Sequence, residues 1–283
     1  MTESRRSPTC SLTSSAYEPH VPDSLFTPPL EPPSGRPLCW AVRRLLLLFP
    51  CLALAACKPA APAPQLVVWA WERPEDLRFL PKDAEIAVQT GFVELAGDGF
   101  LSRGRRYPLR TDRPPSTAVV HVQIDDRDPP RWTPELRARV AAAVLHFARV
   151  IPTPRVQIDF EVRRSQRPIL VDLLQDVRAG LPRTVPLSMT AIASWCQEDW
   201  LGTLPVDEIV PMLFRMGRGD PAIRARIEGG GDWSEPACRK ALAISADTPI
   251  ARAPPGRRIY LFAPQSWTPS TFDAVRKRVE QWR

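Results

Sequence analysis

The chain of 283 residues carries 38 basic and 31 acidic side chains, 34 prolines and three histidines, with a formal net charge of +7. The charges are dispersed and form no long basic run, which argues against a nucleic-acid-binding surface. The histidines are too few for a His-rich metal site, and neither a Gly-x-Gly-x-x-Gly segment nor a Walker-type loop is present, so we expect no metal ion, nucleotide or other cofactor.

Residues 1–41 are rich in Pro, Ser and Thr, as in the sequence PPLEPP at 28–33. Such a composition cannot bury a hydrophobic core, so this stretch is predicted to be disordered. The alternative is that it is not translated. Val42 would then be specified by a GTG start codon, and the chain would begin beside a compact signal.

Residues 42–56 are predicted to be a signal peptide. Arg43 and Arg44 precede twelve largely apolar residues that end on small side chains, which is the pattern of a basic start, an apolar segment and a cleavage site. A transmembrane helix needs roughly 20 apolar residues, so this stretch is too short to span a bilayer.

The end of the signal, Leu54-Ala55-Ala56-Cys57, resembles the lipobox of bacterial lipoproteins. The resemblance implies cleavage before Cys57 and lipid on its thiol, which would anchor the chain to a membrane of the bacterial envelope, facing the periplasm. Lys58 follows, and by resemblance to proteobacterial sorting the absence of Asp there favours the outer membrane. The alternatives are an ordinary cleaved secretory signal and a buried apolar segment. Residues 57–65 are rich in Ala and Pro and would form a stiff tether.

The cysteines predict one disulfide. Three of the six lie before residue 57, and Cys57 is assigned to lipid, so Cys196 and Cys238 remain. Two thiols left in an oxidising compartment favour a bridge between them. Two separate buried thiols are the alternative.

Residues 66–283 are predicted to form a single domain. Strands are predicted at 66–71, 85–89, 118–124, 155–160, 186–192, 208–214, 241–245 and 258–263, and helices at 136–151, 169–181 and 272–282, with Thr133 and Ser165 as N-caps. Residues 91–109 are predicted to be a hairpin or a long loop. Strands alternating with helices favour an α/β fold, a small (β/α)₈ TIM-type barrel with some irregular or missing helices. A doubly wound open sheet is the alternative.

Two predicted strands alternate polar and apolar residues in the same way. The polar faces carry His121, Gln123 and Asp125 on the first strand, and Gln157, Asp159 and Glu161 on the second. The outward face of a barrel strand meets helices and must be apolar, so the polar sets are predicted to point inward, where fold stability alone gives no reason to keep them. An antiparallel sheet with one wet face would show the same alternation, but the predicted helix between the two strands argues against it.

Paired inward carboxylates at strand ends suit glycoside hydrolysis, in which one carboxyl stays protonated as the acid. We therefore predict Glu161 and Asp159 as catalytic residues, and we expect burial and the charge of Asp159 to raise the pKa of Glu161. Residues predicted to bind a polysaccharide are His121, Gln123, Asp125, Gln157, Trp71, Glu72 and Trp195, of which the tryptophans would stack on sugar rings.

Several segments are similar to a known family. They are VVWAWE at 67–72 with DLRF at 76–79, QIDFE at 157–161, LSMTA at 187–191 with SWC at 194–196, and VPMLFRMG at 210–217. These segments resemble an uncharacterised bacterial family of predicted lipoproteins, the domain-of-unknown-function family 3142. The resemblance covers roughly residues 66–265 and implies membership, but it brings no established activity.

More distantly, the sequence DFE at 159–161 is similar to the end of the chitinase-type motif of glycoside hydrolase family 18. That motif lies on the fourth barrel strand, and its last glutamate is the acid. Here Gln157 and Pro154 stand where the motif has aspartates, and Phe214 and Arg215 stand where the sixth strand has Tyr and Asp. The resemblance implies a barrel with a catalytic glutamate, and the departures do not support acetamido-assisted chemistry.

Arg215 has two interpretations. It is predicted to be an ion-pair partner of Asp159 or Glu161, in which case the cluster is structural, or it binds an acidic sugar. Two hypotheses therefore remain: a periplasm-facing glycoside hydrolase, and a non-catalytic lipoprotein that binds a glycan or an envelope partner on the same barrel.

Overall fold

The computed structural model describes residues 65–282. Its strands are β1 (Leu66–Ala70), β2 (Glu75–Asp76), β3 (Glu85–Ala96), β4 (Gly99–Gly104), β5 (Leu109–Arg110), β6 (Thr117–Ile124), β7 (Arg155–Phe160), β8 (Leu187–Ile192), β9 (Glu208–Met212), β10 (Ala241–Ser245) and β11 (Arg258–Phe262). The predictions for residues 1–64, including lipid on Cys57, lie outside the described residues.

Eight parallel strands form a closed barrel. They follow one another in chain order as β1, β3, β6, β7, β8, β9, β10 and β11, and β1 pairs with both β3 and β11, which closes the sheet. The predicted TIM-type barrel is confirmed, and the doubly wound open sheet is wrong. All eight predicted barrel strands are present, and β7 is the fourth of them.

The outer layer has few helices, as predicted. They are α1 (Pro134–Arg149), α2 (Arg167–Gly180), α3 (Asp220–Glu228) and α4 (Pro269–Glu280). Thr133 caps α1 by accepting a hydrogen bond from the backbone N–H of Leu136, which confirms that N-cap. The N-cap predicted at Ser165 is wrong, because a short 3₁₀ turn precedes α2 and places Gln166 at its N-cap.

The connection after β3 is a β-hairpin, as predicted for part of residues 91–109. Strands β3 and β4 pair in antiparallel register, and Gly97 takes a positive φ of 50° in the turn between them. β3 is 12 residues long and pairs with β6 up to Ile124. Helix α1 packs closely on this strand at Gly91, where a Cβ atom would overlap the ring of Phe147.

The floor of the barrel is a buried polar cluster. At the N-terminal ends of the strands, the Glu208 carboxylate accepts hydrogen bonds from Arg258 Nη1 and from the Tyr260 hydroxyl, both at 2.8 Å, and Arg155 lies at 3.6 Å. One layer higher, Gln157 accepts from the indole N–H of Trp69 at 2.9 Å. The carboxylate is buried but paired, so its desolvation is compensated. These side chains fill the lower interior.

A disulfide joins Cys196 and Cys238, whose Cα atoms lie 6.0 Å apart, and this confirms the predicted bridge. Both residues are fully buried in the layer outside the barrel. The bridge connects the segment after β8 to the segment before β10, and these two segments flank β9 in the chain.

Within residues 65–282, no helix has both the length and the apolar composition needed to cross a membrane.

Candidate functional site

A cavity of about 410 Å³ opens at the C-terminal ends of the barrel strands. This is the end at which enzymes with this fold hold their active sites. Six of the predicted site residues line the cavity, namely Trp71, His121, Gln123, Asp159, Glu161 and Arg215. The other lining residues are Val122, Met212, Phe214, Phe262, Ala263 and Pro264.

Asp159 lies at the base of the cavity and is 4% exposed. The parallel register of β6 and β7 places His121 directly beside it. Its Oδ2 lies 2.6 Å from Nδ1 of His121, and its Oδ1 accepts a hydrogen bond of 2.6 Å from the Thr190 hydroxyl on β8. Both carboxylate oxygens are therefore engaged, which fixes the side chain.

The imidazole of His121 is held in one orientation. Burial lowers its pKa, but the hydrogen bond and charge of Asp159 oppose this, with smaller contributions from Gln123 and Glu161, and the net effect is a pKa above the usual value. The ring stacks on Phe92 with the centroids 5.6 Å apart. His121 and Asp159 therefore form a buried, hydrogen-bonded pair.

Glu161 follows β7 directly and stands at the rim of the cavity, with its side chain 35% exposed. Burial raises the pKa of its carboxyl, Arg215 opposes this, the charge of Asp159 raises the pKa further, and His121 opposes it. The net pKa lies above the ordinary value, which confirms the predicted direction. A carboxyl of this kind holds a proton at a higher pH than a solvated glutamate does.

Arg215 lies across the cavity rim from Glu161, on the segment that follows β9. Its Nε is 3.3 Å from Oε1 of Glu161, so of the two partners predicted for it Glu161 is the one it contacts. The distance exceeds the 2.7–2.9 Å typical of charge-assisted hydrogen bonds. The Arg215 side chain is 63% exposed, so the pair is weak and screened by solvent.

Aromatic rings form the apolar wall of the cavity. Phe214 and Phe262 lie 4.9 Å apart, and Trp71 packs edge-on against Trp69 at 4.4 Å. Sequence reasoning identified Trp71 but missed the two phenylalanines and also Phe92. The signal was present, because Phe214 and Phe262 extend the inward alternation of β9 and β11.

Four predicted binding residues lie away from the cavity. Gln157 is fully buried beneath it, where it donates to the Ser188 hydroxyl. Asp125 caps a turn by accepting from the backbone N–H of Arg127. The other two, Glu72 and Trp195, contact neighbouring side chains of the protein and do not face the cavity. The positions of these four residues depend on contacts with residues elsewhere in the chain.

Glu72 forms ion pairs with Arg103 and Arg106, which come from the hairpin of β3 and β4 and from the segment after it. Desolvation would raise its pKa, but hydrogen bonds from the two guanidinium groups outweigh it and lower the pKa. Trp195 is 5% exposed in the outer layer, where it packs on Trp200. It has no exposed face for a sugar ring.

The arrangement joins a glutamic acid of raised pKa, a fixed carboxylate–imidazole pair and an aromatic wall in one cavity. Such a set can donate a proton to a bound ligand and stabilise positive charge that develops beside Asp159. Among the described residues, no group of three or more His, Cys, Asp or Glu side chains is placed to hold a metal ion. Comparisons with protein families, with curated proteins and with solved structures gave no match for this chain.

Proposed function

We propose that this protein is a lipid-anchored glycoside hydrolase of the bacterial envelope, which cleaves a polysaccharide with Glu161 as the general acid. One observation carries the proposal. Glu161 stands at the open rim of a barrel-mouth cavity, at the C-terminal end of the fourth barrel strand, and its pKa is raised. An acid in this position can protonate the oxygen of a glycosidic bond laid across the rim.

Asp159 supplies the second carboxylate in this proposal. Successive residues of a strand advance by about 3.3 Å, so the backbones of Asp159 and Glu161 are roughly 6.6 Å apart on one face. Asp159 is fixed beside the proposed acid because His121 and Thr190 engage both of its carboxylate oxygens. Its negative charge would stabilise the positive charge that develops on the sugar ring.

The aromatic wall supports a carbohydrate ligand. Trp71, Phe214 and Phe262 present apolar surface to the cavity beside the polar groups of Glu161 and Arg215. Sugar rings have apolar faces and polar edges, and such ligands suit a site with aromatic rings on one side and a few polar groups on the other.

The proposed kinship with family 18 barrels agrees with this assignment. Glu161 follows the fourth strand of a closed barrel, which is the position of the acid in the chitinase-type motif. Phe214 and Arg215, in contrast, replace the Tyr and Asp that assist acetamido chemistry in that family. We therefore propose direct carboxylate chemistry, with membership of family 3142 as the nearer relationship.

Anchoring is proposed through lipid on Cys57, with the barrel facing the periplasm and the outer membrane as the favoured location. The support is the lipobox-like sequence at 54–57 and the basic, apolar segment before it. The disulfide between Cys196 and Cys238 agrees with export to an oxidising compartment.

One observation favours a second candidate, a non-catalytic lipoprotein that binds a glycan or an envelope partner. Arg215 lies within ion-pair distance of Glu161, and a cation in this position favours the ionised carboxylate that cannot donate a proton. In this alternative the same cavity binds a ligand and leaves it intact.

The experiment is a screen of the purified barrel domain against envelope and exported polysaccharides, with new reducing ends as the readout. Glu161→Gln keeps the size and removes the proton, so we expect the rate to fall by about 10²–10⁴ while binding is retained. Glu135→Gln, on the exposed face of α1, is the matched control and should leave the rate unchanged.

The pH profile adds a second readout. Because Glu161 must be protonated, the rate should decline as the pH rises through its raised pKa. A cleaving activity that survives Glu161→Gln would refute the assignment of the acid. Binding without cleavage by the wild-type protein would favour the non-catalytic candidate.

A further inference from the structure

We infer that the cavity takes an anionic glycan, in which a sugar carboxylate such as that of a hexuronic acid binds to Arg215. The inference rests on the proposed function, since it names the substrate class of the same site. It is carried by the position of Arg215 at the rim, by its loose contact with Glu161 and by the balance of charge in the cavity.

Arg215 is held less firmly than several other arginines of the barrel. Arg137, for example, makes two hydrogen bonds of 2.5 and 2.7 Å to Asp176, and Arg257 is buried against Asp232. In the described part of the chain, the guanidinium of Arg215 has one polar contact, the 3.3 Å approach of its Nε to Glu161. Most of its guanidinium donors therefore remain free to bind a second partner.

The charges that line the cavity leave Arg215 without a permanent counter-ion. Asp159 lies at the base of the cavity, where His121 and Thr190 engage both of its carboxylate oxygens, and it makes no ion pair with Arg215. The remaining charged groups in the lining are Glu161 and Arg215. When Glu161 is protonated, as the proposed acid must be, Arg215 has no anionic partner at the rim, and its charge favours an anionic ligand.

A carboxylate fits this position better than a neutral hydroxyl does. The planar guanidinium presents paired N–H donors that match the two oxygens of a carboxylate. The aromatic rings of Phe214 and Phe262 lie beside Arg215 in the lining and offer a surface for the face of the sugar ring. One sugar residue can therefore stack on the wall and direct its carboxylate to the rim.

Binding of such a sugar would favour the protonated form of Glu161. The charged groups that act on Glu161 are Arg215, Asp159 and His121. A ligand carboxylate that draws Arg215 away removes the stronger of the two cations that favour ionised Glu161, and it brings a second negative charge close by. Glu161 should then take up a proton when the ligand binds, so that the correct substrate generates the protonated form of its own catalyst.

The test measures binding by calorimetry in the Glu161→Gln background, which removes the proposed acid. The ligands are tetramers of galacturonic acid, the same tetramers with each carboxylate reduced to a hydroxymethyl group, and a sulfated oligosaccharide of equal length. The variants are Arg215→Gln and Arg215→Lys, with Arg183→Gln as a control that removes the same charge from an exposed position on the segment before β8.

We expect the galacturonate tetramer to bind at least about tenfold more tightly than its reduced counterpart, as for loss of one charge-assisted pair. Arg215→Gln should abolish this preference, Arg215→Lys should retain part of it, and Arg183→Gln should retain all of it. Proton uptake is measured with the wild-type chain and monomeric galacturonic acid, which has no glycosidic bond to cleave, in two buffers of different ionisation enthalpy.

The outcomes separate this inference from the proposed function. Equal binding of charged and reduced tetramers, or a preference that survives Arg215→Gln, overturns the inference and leaves the hydrolase proposal intact. Preference for the sulfated ligand over the galacturonate overturns the assignment of a carboxylate. Selective, Arg215-dependent binding of galacturonate by a wild-type protein that cleaves neither the tetramers nor any polysaccharide of the screen supports the inference and refutes the hydrolase proposal. A protein that neither binds nor cleaves any glycan refutes both.

Discussion

Asp159→Asn should uncouple the buried pair at the base of the cavity. In the wild-type protein, Asp159 accepts hydrogen bonds from His121 and Thr190, and it holds the pKa of His121 above the usual value of 6.5 against the effect of burial. Asparagine has almost the same shape but no charge. Burial then acts on the imidazole with only the weaker help of Gln123 and Glu161, so the pKa of His121 should fall below its usual value.

The loss of stability follows from the same contacts. A hydrogen bond to a charged group contributes about 1.5–3 kcal/mol, and asparagine can keep the bond from Thr190 in weaker form. We therefore expect the variant to lose roughly 3 kcal/mol of the free energy of unfolding near pH 5.5, which shifts a urea midpoint by about 1 M or more.

The stability of the two proteins should change with pH in opposite directions. Because the folded pKa of His121 is raised in the wild-type protein, the contribution of the pair is complete below pH 6.5 and is lost as the pH rises through the folded pKa. In the variant the folded pKa is lowered, so the unfolded chain binds the proton more readily and stability is lost as the pH falls through 6.5. The difference between the two proteins should be larger at pH 5.5 than at pH 8.5.

Two measurements test this reasoning: urea unfolding at both pH values, and NMR titration of the imidazoles. His121 and His146 are the two histidines after residue 57, so His146→Asn assigns the signals. Asp126→Asn is the control, because Asp126 pairs with Arg163 on the surface, where such pairs contribute little. A variant whose His121 titrates as in the wild-type protein, or whose stability loss is equal at both pH values, would refute the argument.

Three further predictions concern stability and location. Replacing both Cys196 and Cys238 by Ser opens a loop of sequence separation 42 and should lower the free energy of unfolding by about 4 kcal/mol in thermal denaturation; an unchanged midpoint would contradict a bridge that limits the unfolded chain. Gly91→Ala should cost about 1–3 kcal/mol because its Cβ would overlap a ring of α1, whereas Gly99→Ala, which meets no atom within 4 Å, should cost less; equal losses would contradict the close packing. Cys57→Ser should leave an unprocessed or soluble form in cell fractionation, and a cleaved variant that stays with membranes would refute lipid anchoring.

The barrel could be predicted from sequence because most of its strands are short, largely apolar segments that are bounded by turn residues or helices. The ends of the strands were predicted less accurately. β3 continues to Ala96 where the pattern predicted an end at 89, because a register shift between Gln89 and Gly91 interrupts the alternation. Helix α3 was missed because only Ile223 and Ile227 of its nine residues are buried apolar side chains.

The site was predicted in part for a similar reason. Alternation with a period of two identifies the face on which a side chain lies, and it correctly grouped His121, Asp159 and Glu161. It does not give depth along the barrel axis, so Gln157 was placed in the cavity although it lies in the layer beneath. The partner of Glu72 could not be predicted either, because Arg103 is 31 residues away and reaches it through the hairpin.

The filled lower interior of the barrel determines how a ligand can enter and leave the cavity. Glu208, Arg258 and Tyr260 occupy the lower end of the barrel, and Trp69 and Gln157 occupy the level above, so these side chains block the path through the barrel axis. A ligand must therefore enter and leave at the C-terminal ends of the strands. In the proposed hydrolase, a product that stays bound would therefore obstruct the next substrate, and its release past the rim would set an upper limit on the rate of repeated cycles.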